Sequence, residues 1–318
     1  MVRQLLLSLC CVASLLAARP AAAEYPDRPI RLILPFTPGG VVDVVARHIQ
    51  TRVSELMGQQ VVIDNRGGGG GVVATQALLA APADGYTALV VTPNHTANAV
   101  LAPNLPYDTA RDFASVSLVA EMPGVLAVNA RLPVRTVAEF LDHARRNRLS
   151  YSSAGSGTFP HLTMELLLAR SGVQMIHVPY RGAAQAMTDL VAGVVDAKMD
   201  VYATSIPHAR AGTIRIIAVT SPTRIPQLPE VPALAEAGFP GYDVGFFIGV
   251  VVRANTPETI RARMEQAFVA AVNDEMRRDL ETRGIRAVGG GSAELDALIR
   301  RELVQWGDLV RTNNLRPD

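Results

Sequence analysis

Short apolar runs rich in branched residues alternate with helix-period segments almost from end to end of this 318-residue chain. That alternation describes strands joined through covering helices, and it predicts an α/β fold. The chain is 49% hydrophobic but only 5% aromatic, so Val, Leu, Ile and Ala must build the core, which suits sheets buried on both faces. The spacing predicts a strand at 30–34, then a helix carrying Val42, Val45, Ile49, Val53 and Leu56 on one face up to a C-cap at Gly58. A strand at 60–63, a helix at 72–81 and a strand at 88–91 follow. From residue 125 the scheme repeats, with strands at 125–129, 149–152, 175–178, 194–200 and 214–220 and helices at 137–147, 159–171 and 183–192. The Pro-rich stretch 222–240 leads back to the first set, which receives a strand at 246–252 and helices at 256–283 and 292–313. The expected organisation is therefore two lobes, one discontinuous (24–125 plus 241–318) and one continuous (126–240). Each is a mostly parallel sheet flanked by helices, with a ligand cleft between them.

The chain opens with Arg3, an apolar run from Leu5 to Ala18, and small residues ending at Ala23. A basic start, a short hydrophobic centre and a small-residue cleavage site predict an export signal over residues 1–23 and a periplasmic location. The run is shorter than the roughly 20 apolar residues that span a bilayer. Both cysteines, Cys10 and Cys11, lie inside it, so the mature chain has no disulfide, thiolate metal site or cysteine nucleophile. Lys and Arg number 30 against 29 Asp and Glu, with no basic stripe or polybasic tail, which argues against nucleic-acid and lipid partners. A monomer is expected.

Two Gly-rich turns join a strand to a helix. In Phe36-Thr37-Pro38-Gly39-Gly40-Val41-Val42-Asp43 the glycines let the main chain approach another molecule, and the following helix presents unpaired N–H groups that suit a carboxylate. By itself the turn reads better as a tight βα connection with Asp43 capping the helix. The second turn is Ser153-Ala154-Gly155-Ser156-Gly157-Thr158, leading to Phe159-Pro160-His161. Ligands of open α/β sheets sit beyond the carboxyl ends of strands, so two facing turns would pinch one acidic small molecule. Asp200 ends a predicted strand and shares a face with Asp196 and Lys198, which lets it accept a ligand N–H or O–H or cap a loop.

Other chemistries lack their parts. Gly69, Gly71 and Ala74 match a dinucleotide spacing, but the acidic residue expected roughly 20 positions on is missing, so Gly67 to Gly71 reads as a flexible loop. The six histidines are isolated, with no metal-binding pair on a helix face, although His95 and His161 follow strand ends and could reach a cleft. Ser156 has Ala154 where a nucleophile elbow needs glycine. No cofactor is expected.

The ordered stretches "YPDRPIRLILPFTPGGVVDVVAR", "VVIDNRGGGGG", "ADGYT", "LPYDTARDF", "YSSAGSGTFPHLTMELL", "HVPYRGAAQAMTDLVAG", "IRIIAVTS" and "LPEVPALAEAGFPGYD" resemble the Bug-type periplasmic solute-binding proteins, receptors of tripartite tricarboxylate transporters. The resemblance spans nearly the whole mature chain. It implies a type II periplasmic binding protein that closes on a small carboxylate, such as a di- or tricarboxylate, an amino acid or an aromatic acid. The acid would be held mainly by main-chain N–H groups of Phe36 to Asp43 and Ser153 to His161. It also implies that Tyr180, Arg181 and Asp200 look toward the cleft, and more weakly that Pro93, Asn94 and His95 do. The sequence departs from the family pattern at Thr37, Val42, the glycine run, Lys198 and Phe246-Phe247. Loss of a hydroxyl at residue 42 bears on which acid is held. The partner implied is an integral-membrane transporter, with a signalling sensor as the alternative. A rival of another class is a periplasmic hydrolase or lyase using Ser153, Ser156 or His161.

Overall fold

The first strand, β1 (Ile30–Leu34), carries apolar side chains on both faces, and four of its five residues are buried. It must therefore lie inside a sheet with helices on either side. The computed structural model describes residues 25–102 and 104–313, so the expected signal segment at 1–23 lies outside the described residues. β1 pairs in parallel with β2 (Val61–Asn65) and β3 (Thr87–Val91), and β3 pairs antiparallel with β9 (Gly245–Arg253). Helices α1 (Val41–Met57), α2 (Val72–Leu79) and α3 (Pro93–Leu101) connect these strands. A single 3-10 turn at Gly69–Gly71 occupies part of the glycine run.

The long strand β4 (Phe113–Asn129) organises the rest. Its first part pairs with β9 and with β10 (Arg286–Gly290). From Gly124 on it pairs instead with β7 (Ala197–Val201) and β8 (Ile214–Val219). β5 (Ser150–Ser153) joins β7 and β6 (Ile176–Pro179) in parallel. Two groups of strands thus share one strand, parallel at their outer members and antiparallel where β4 and β9 carry the chain across. β4 runs through the expected division at residue 125 without a break.

Helices α4 (Val137–Arg146), α5 (Phe159–Ser171), α6 (Ala183–Ala192) and α7 (Tyr202–Arg210) cover the second group. α8 (Glu258–Ala271), α9 (Asp274–Thr282) and α10 (Ser292–Asn313) return to the first. None of the described helices is long and apolar enough to cross a membrane.

Several elements differ from the periodicity reading. α3 was not expected, because its buried face is polar, with Asn94, His95, Thr96 and Asn98 all buried. α7 contains Pro207, which reads as a breaker but is tolerated in this helix. Where one helix was expected over 256–283 there are two, because Asn273 accepts a hydrogen bond from the Met276 N–H and starts a new helix with Asp274 and Glu275 in its first turn.

The crossing itself is tightly made. The Thr220 N–H donates to Gly124 O (2.9 Å), the Val244 N–H donates to Thr220 O (3.0 Å), and the Thr220 hydroxyl donates to Val244 O (2.5 Å). A Cβ on Gly124 would fall 2.5 Å from Thr220 Oγ1 and 2.8 Å from the Phe159 ring. Overpacking of a filled site costs about 1–3 kcal/mol. Gly124→Val is expected to reach or exceed the upper figure, read as a lowered midpoint in denaturant unfolding with an unchanged slope; an unaltered midpoint would refute this account of the crossing.

Candidate functional site

Both Gly-rich turns lie at one cavity of about 60 Å³ between the two strand groups. The space is several times the roughly 10–15 Å³ that one buried water needs. Phe36, Thr37, Pro38, Gly40, Val41 and Val42 line it from one side, and Ala154, Thr158, Phe159 and Pro160 from the other. Asn94, Asp200, Val201, Thr204 and Phe246 complete the wall with Gly182, Ala183 and Ala184.

Helices α1, α5, α6 and α7 all begin at this wall, with N-cap positions Gly40, Thr158, Gly182 and Val201. In none of the four does the N-cap residue supply a side-chain capping bond, as Thr136 and Asn273 do elsewhere, although the Asn94 side chain accepts from the first N–H of α5, that of Phe159. First-turn N–H groups have no intrahelical partner, and each helix N-terminus carries roughly +0.5 elementary charge. The wall is therefore electropositive although it contains no free Lys or Arg side chain.

The first turn is braced from behind. Asp43 Oδ2 accepts from the Gly39 N–H (3.1 Å) and from Arg47 Nε (2.9 Å). Its Oδ1 accepts from Arg47 Nη2 (3.1 Å) and Asn65 Nδ2 (3.2 Å), and Asn65 also donates to Phe36 O. Burial alone would push the Asp43 carboxyl up, but the bonds from Arg47, Gly39 and Asn65 outweigh it and hold the group below the usual carboxylate range. Asp43 fixes the loop and does not line the cavity.

The second turn is likewise self-satisfied. Ser153 Oγ accepts from the Gly155 N–H (3.1 Å) and stands 2.7 Å from His177 Nε2. The Thr158 hydroxyl donates to Gly155 O (2.6 Å), and the Gly157 N–H donates to His161 Nδ1 (3.1 Å). The rings of Tyr151, His161 and His177 stack, with the two imidazoles 4.2 Å apart. Asn94 ties the two strand groups together, its Oδ1 accepting from the Phe159 N–H (2.8 Å) and its Nδ2 donating to Gly70 O (3.4 Å).

Of the residues predicted from sequence, Phe36, Pro38, Gly40, Val41, Val42, Asn94, Ala154, Thr158 and Asp200 line the cavity. Gly39, Asp43, Ser153, Gly155, Ser156, Gly157 and His161 belong to the turns behind this lining. The Tyr180 hydroxyl donates to Asp189 Oδ2 (2.5 Å), and burial together with that carboxylate pushes it up to about 12. Arg181 is exposed on the segment leading to α6. The α6 N-terminus, Gly182 to Ala184, was missed, although a glycine directly before an Ala-rich helix was its signal. Thr204 was missed with its helix. His95 is buried between Tyr107 and Phe113, outside the cavity wall. Among the described residues no group of three or more His, Cys, Asp and Glu could hold a metal ion.

The glycine run also finds its reason here. Gly70 O accepts from Asn98 Nδ2 (3.1 Å), and a Cβ on Gly70 would lie 3.1 Å from Ser156 O of the opposite turn. Its glycines let the two strand groups approach. A larger open groove of about 590 Å³ shares Phe246 with the cavity. Residues of β4, β9 and β10, neighbouring loop residues, and the later turns of α9 and the middle of α10 line it; Arg286 is paired with Glu121, and Arg277 donates to Ala287 O and Val288 O. The helix N-termini meet at the smaller cavity, which is the candidate anion site.

Two strand groups sharing crossing strands, with helix N-termini facing a cleft between them, define the periplasmic binding protein class, and solved members superpose on this chain over most of its length. Residues 45–315 match the tripartite tricarboxylate transporter family receptor, TctC, and the chain belongs to that family of solute-binding receptors, whose members are periplasmic. A relative encoded between tcbD and tcbE in a Pseudomonas species is 40% identical, covering 90% of this chain and 86% of its own. The Rhodopseudomonas palustris protein Rpa4515, solved with adipate, is 35% identical with a TM-score of 0.87, covering 93% of this chain and 100% of its own. MatC of the same organism, solved with malate, is 31% identical with a TM-score of 0.85, over 90% and 100% of the two chains. The chain is thus a solute receptor by family.

Proposed function

We propose that this receptor closes its two lobes, residues 24–125 plus 241–318 and residues 126–240, on a small di-acid and delivers it to a membrane transporter without performing chemistry on it. The observation that carries the reading is the meeting of four helix starts, none capped by its own N-cap side chain, at one small cavity. At roughly +0.5 each, four N-termini match the charge of a dianion without any cation having to touch it. Phe36, Pro38, Gly39, Gly40, Val41, Val42, Asn94, Ala154, Gly155, Thr158 and Asp200 form the binding wall and its turns. Asp43, Ser153, Ser156, Gly157, His161, Tyr180 and Arg181 support it. The adipate and malate held by the two relatives favour a short aliphatic di-acid. Ser153 and His177 stand as a nucleophile and base would, but Ser153 is fully buried, outside the cavity wall and already bonded to Gly155, which favours a loop-holding role over hydrolysis.

The test is thermal unfolding of the mature protein, stripped of co-purified ligand, against mono-, di- and tricarboxylates, amino acids and aromatic acids. A ligand at 100 times its Kd adds about 2.7 kcal/mol and raises the midpoint by several degrees. A shift with one or a few di-acids is expected; a shift only with a nucleotide, or with an ester that is then hydrolysed, would refute the reading. Gly39 and Gly155 sit at φ +91° and +122°, where side chains are strained. Gly39→Val/Gly155→Val, strained at both turns, is expected to fold with a lowered midpoint and to lose the ligand shift; a retained shift would refute the site assignment.

A further inference from the structure

A lysine with no exposed surface lies beside the cavity wall. Lys198 and Asp200 are two positions apart on β7 and point to the same face. Lys198 is 0% exposed and Asp200 3%, and Lys198 Nζ is 2.7 Å from Asp200 Oδ1. Among the described residues that carboxylate is the ammonium's ion-pair partner, and Lys198 Nζ makes no hydrogen bond. The second carboxylate oxygen is taken as well, by Thr204 Oγ1 at 2.8 Å and Ser205 Oγ at 3.3 Å. Asp200 and Thr204 both line the cavity, so the ammonium is one contact removed from whatever the cavity holds.

Burial of an ion pair is costly, and burial of one unpaired member is costlier still. An acid in this wall therefore needs a cation, which either the protein or the ligand can supply. Resting on the di-acid reading above, we propose that Lys198 fills the place that a ligand ammonium would otherwise take beside Asp200. The cavity then selects acids without an amino group over amino acids of the same length. With Asp200 neutralised and its oxygens occupied, a ligand amine would enter an electropositive wall of helix N-termini with no acceptor to meet it. An amine left without a partner in a desolvated site loses its hydration uncompensated.

The test is isothermal titration of the wild type and Lys198→Met with three matched pairs: succinate and aspartate, glutarate and glutamate, adipate and 2-aminoadipate. The wild type is expected to bind the plain acid of its preferred length about tenfold or more tightly than the amino acid, a difference of about 1.4 kcal/mol. Lys198→Met, which bares Asp200, is expected to shrink that ratio by about tenfold or invert it. Lys198→Met/Asp200→Asn, with neither charge, is expected to restore the preference for the plain acid. Should Lys198→Met fail to fold, Lys198→Gln keeps a donor for Asp200 without the charge and is read in the same way. A wild type that prefers the amino acid, or a ratio that removal of the charge leaves unchanged while both acids still bind, overturns the proposal alone. Binding of none of the six acids or of any other carboxylate by the wild type overturns the carboxylate reading and this proposal with it.

Discussion

Gly182→Val is expected to yield a protein that melts within a few degrees of the wild type yet binds its acid about 100-fold more weakly, a loss of about 2.7 kcal/mol. Gly182 has φ −179°, extended backbone that any residue adopts, so the substitution brings no backbone strain. Its difficulty lies across the cavity, where the new Cβ would stand 2.9 Å from Thr37 Oγ1 of the facing turn. Gly157 approaches Asn98 Oδ1 in the same manner, also at 2.9 Å. These contacts join the two strand groups, so a side chain there wedges them apart and leaves each intact. Water then enters, and the attraction between acid and helix N-termini weakens in the higher dielectric. Small-angle scattering should report a larger radius of gyration in saturating ligand. Gly245→Ala, with open space at its Cβ and no positive φ, serves as the control. Full affinity in Gly182→Val would show that closure does not depend on this approach.

The second large effect is on stability. The His95 imidazole is fully buried, its flat face toward Tyr107 at 6.0 Å and its edge toward Phe113 at 4.8 Å, and neither ring nitrogen has a hydrogen-bond partner among the described residues. Burial lowers it from 6.5 to about 4. Between those values the unfolded chain takes up a proton that the folded ring refuses. Stability from this site is therefore complete above pH 6.5 and is lost as the pH falls through about 4, by about 3 kcal/mol.

Glu302 acts in the opposite sense. Burial raises its carboxyl to about 6, against the hydrogen bonds from Trp306 and Thr96. The folded protein retains that proton longer than the unfolded chain, so this contribution is complete below pH 4.5 and is lost as the pH rises through 6. The difference between wild type and His95→Phe isolates the histidine. Melting from pH 8 to pH 4 should show the wild type losing about 3 kcal/mol more than the variant, with the divergence beginning near pH 6.5. Parallel curves would mean that the ring finds a partner or takes its proton in the folded state.

Those two residues also mark how far the sequence could be read. His95 follows a strand and was expected to be able to reach the cleft, because a strand end followed by polar residues reads as a loop. The structure makes a helix there and turns the ring into an aromatic nest. Val41 to Met57 and Phe159 to Ser171 were legible because their periodicity, flanking glycines and first-turn Pro160 agree on a single answer. The α3 and α7 helices were not, because buried polar residues and Pro207 contradict the local pattern, and packing overrides it. Asp43 and Tyr180 show the same limit at the site. Both types can serve a ligand, and here each is spent on a neighbour, Arg47 with Gly39 in one case and Asp189 in the other.

Although α3, α7, β10 and the first part of β4 were not read from the sequence, much of the order of strands and helices, the two Gly-rich turns and the family motifs are properties of the chain itself. They follow from period, turn chemistry and composition, which act over a few residues at a time. Tertiary structure alone decided that β4 passes from one strand group to the other at Gly124, that four helix starts meet at one cavity, and that Lys198 is buried against Asp200. Each of these depends on which distant segments share a wall. Burial, charge compensation and close approach are set by neighbours in space, and sequence spacing does not carry them.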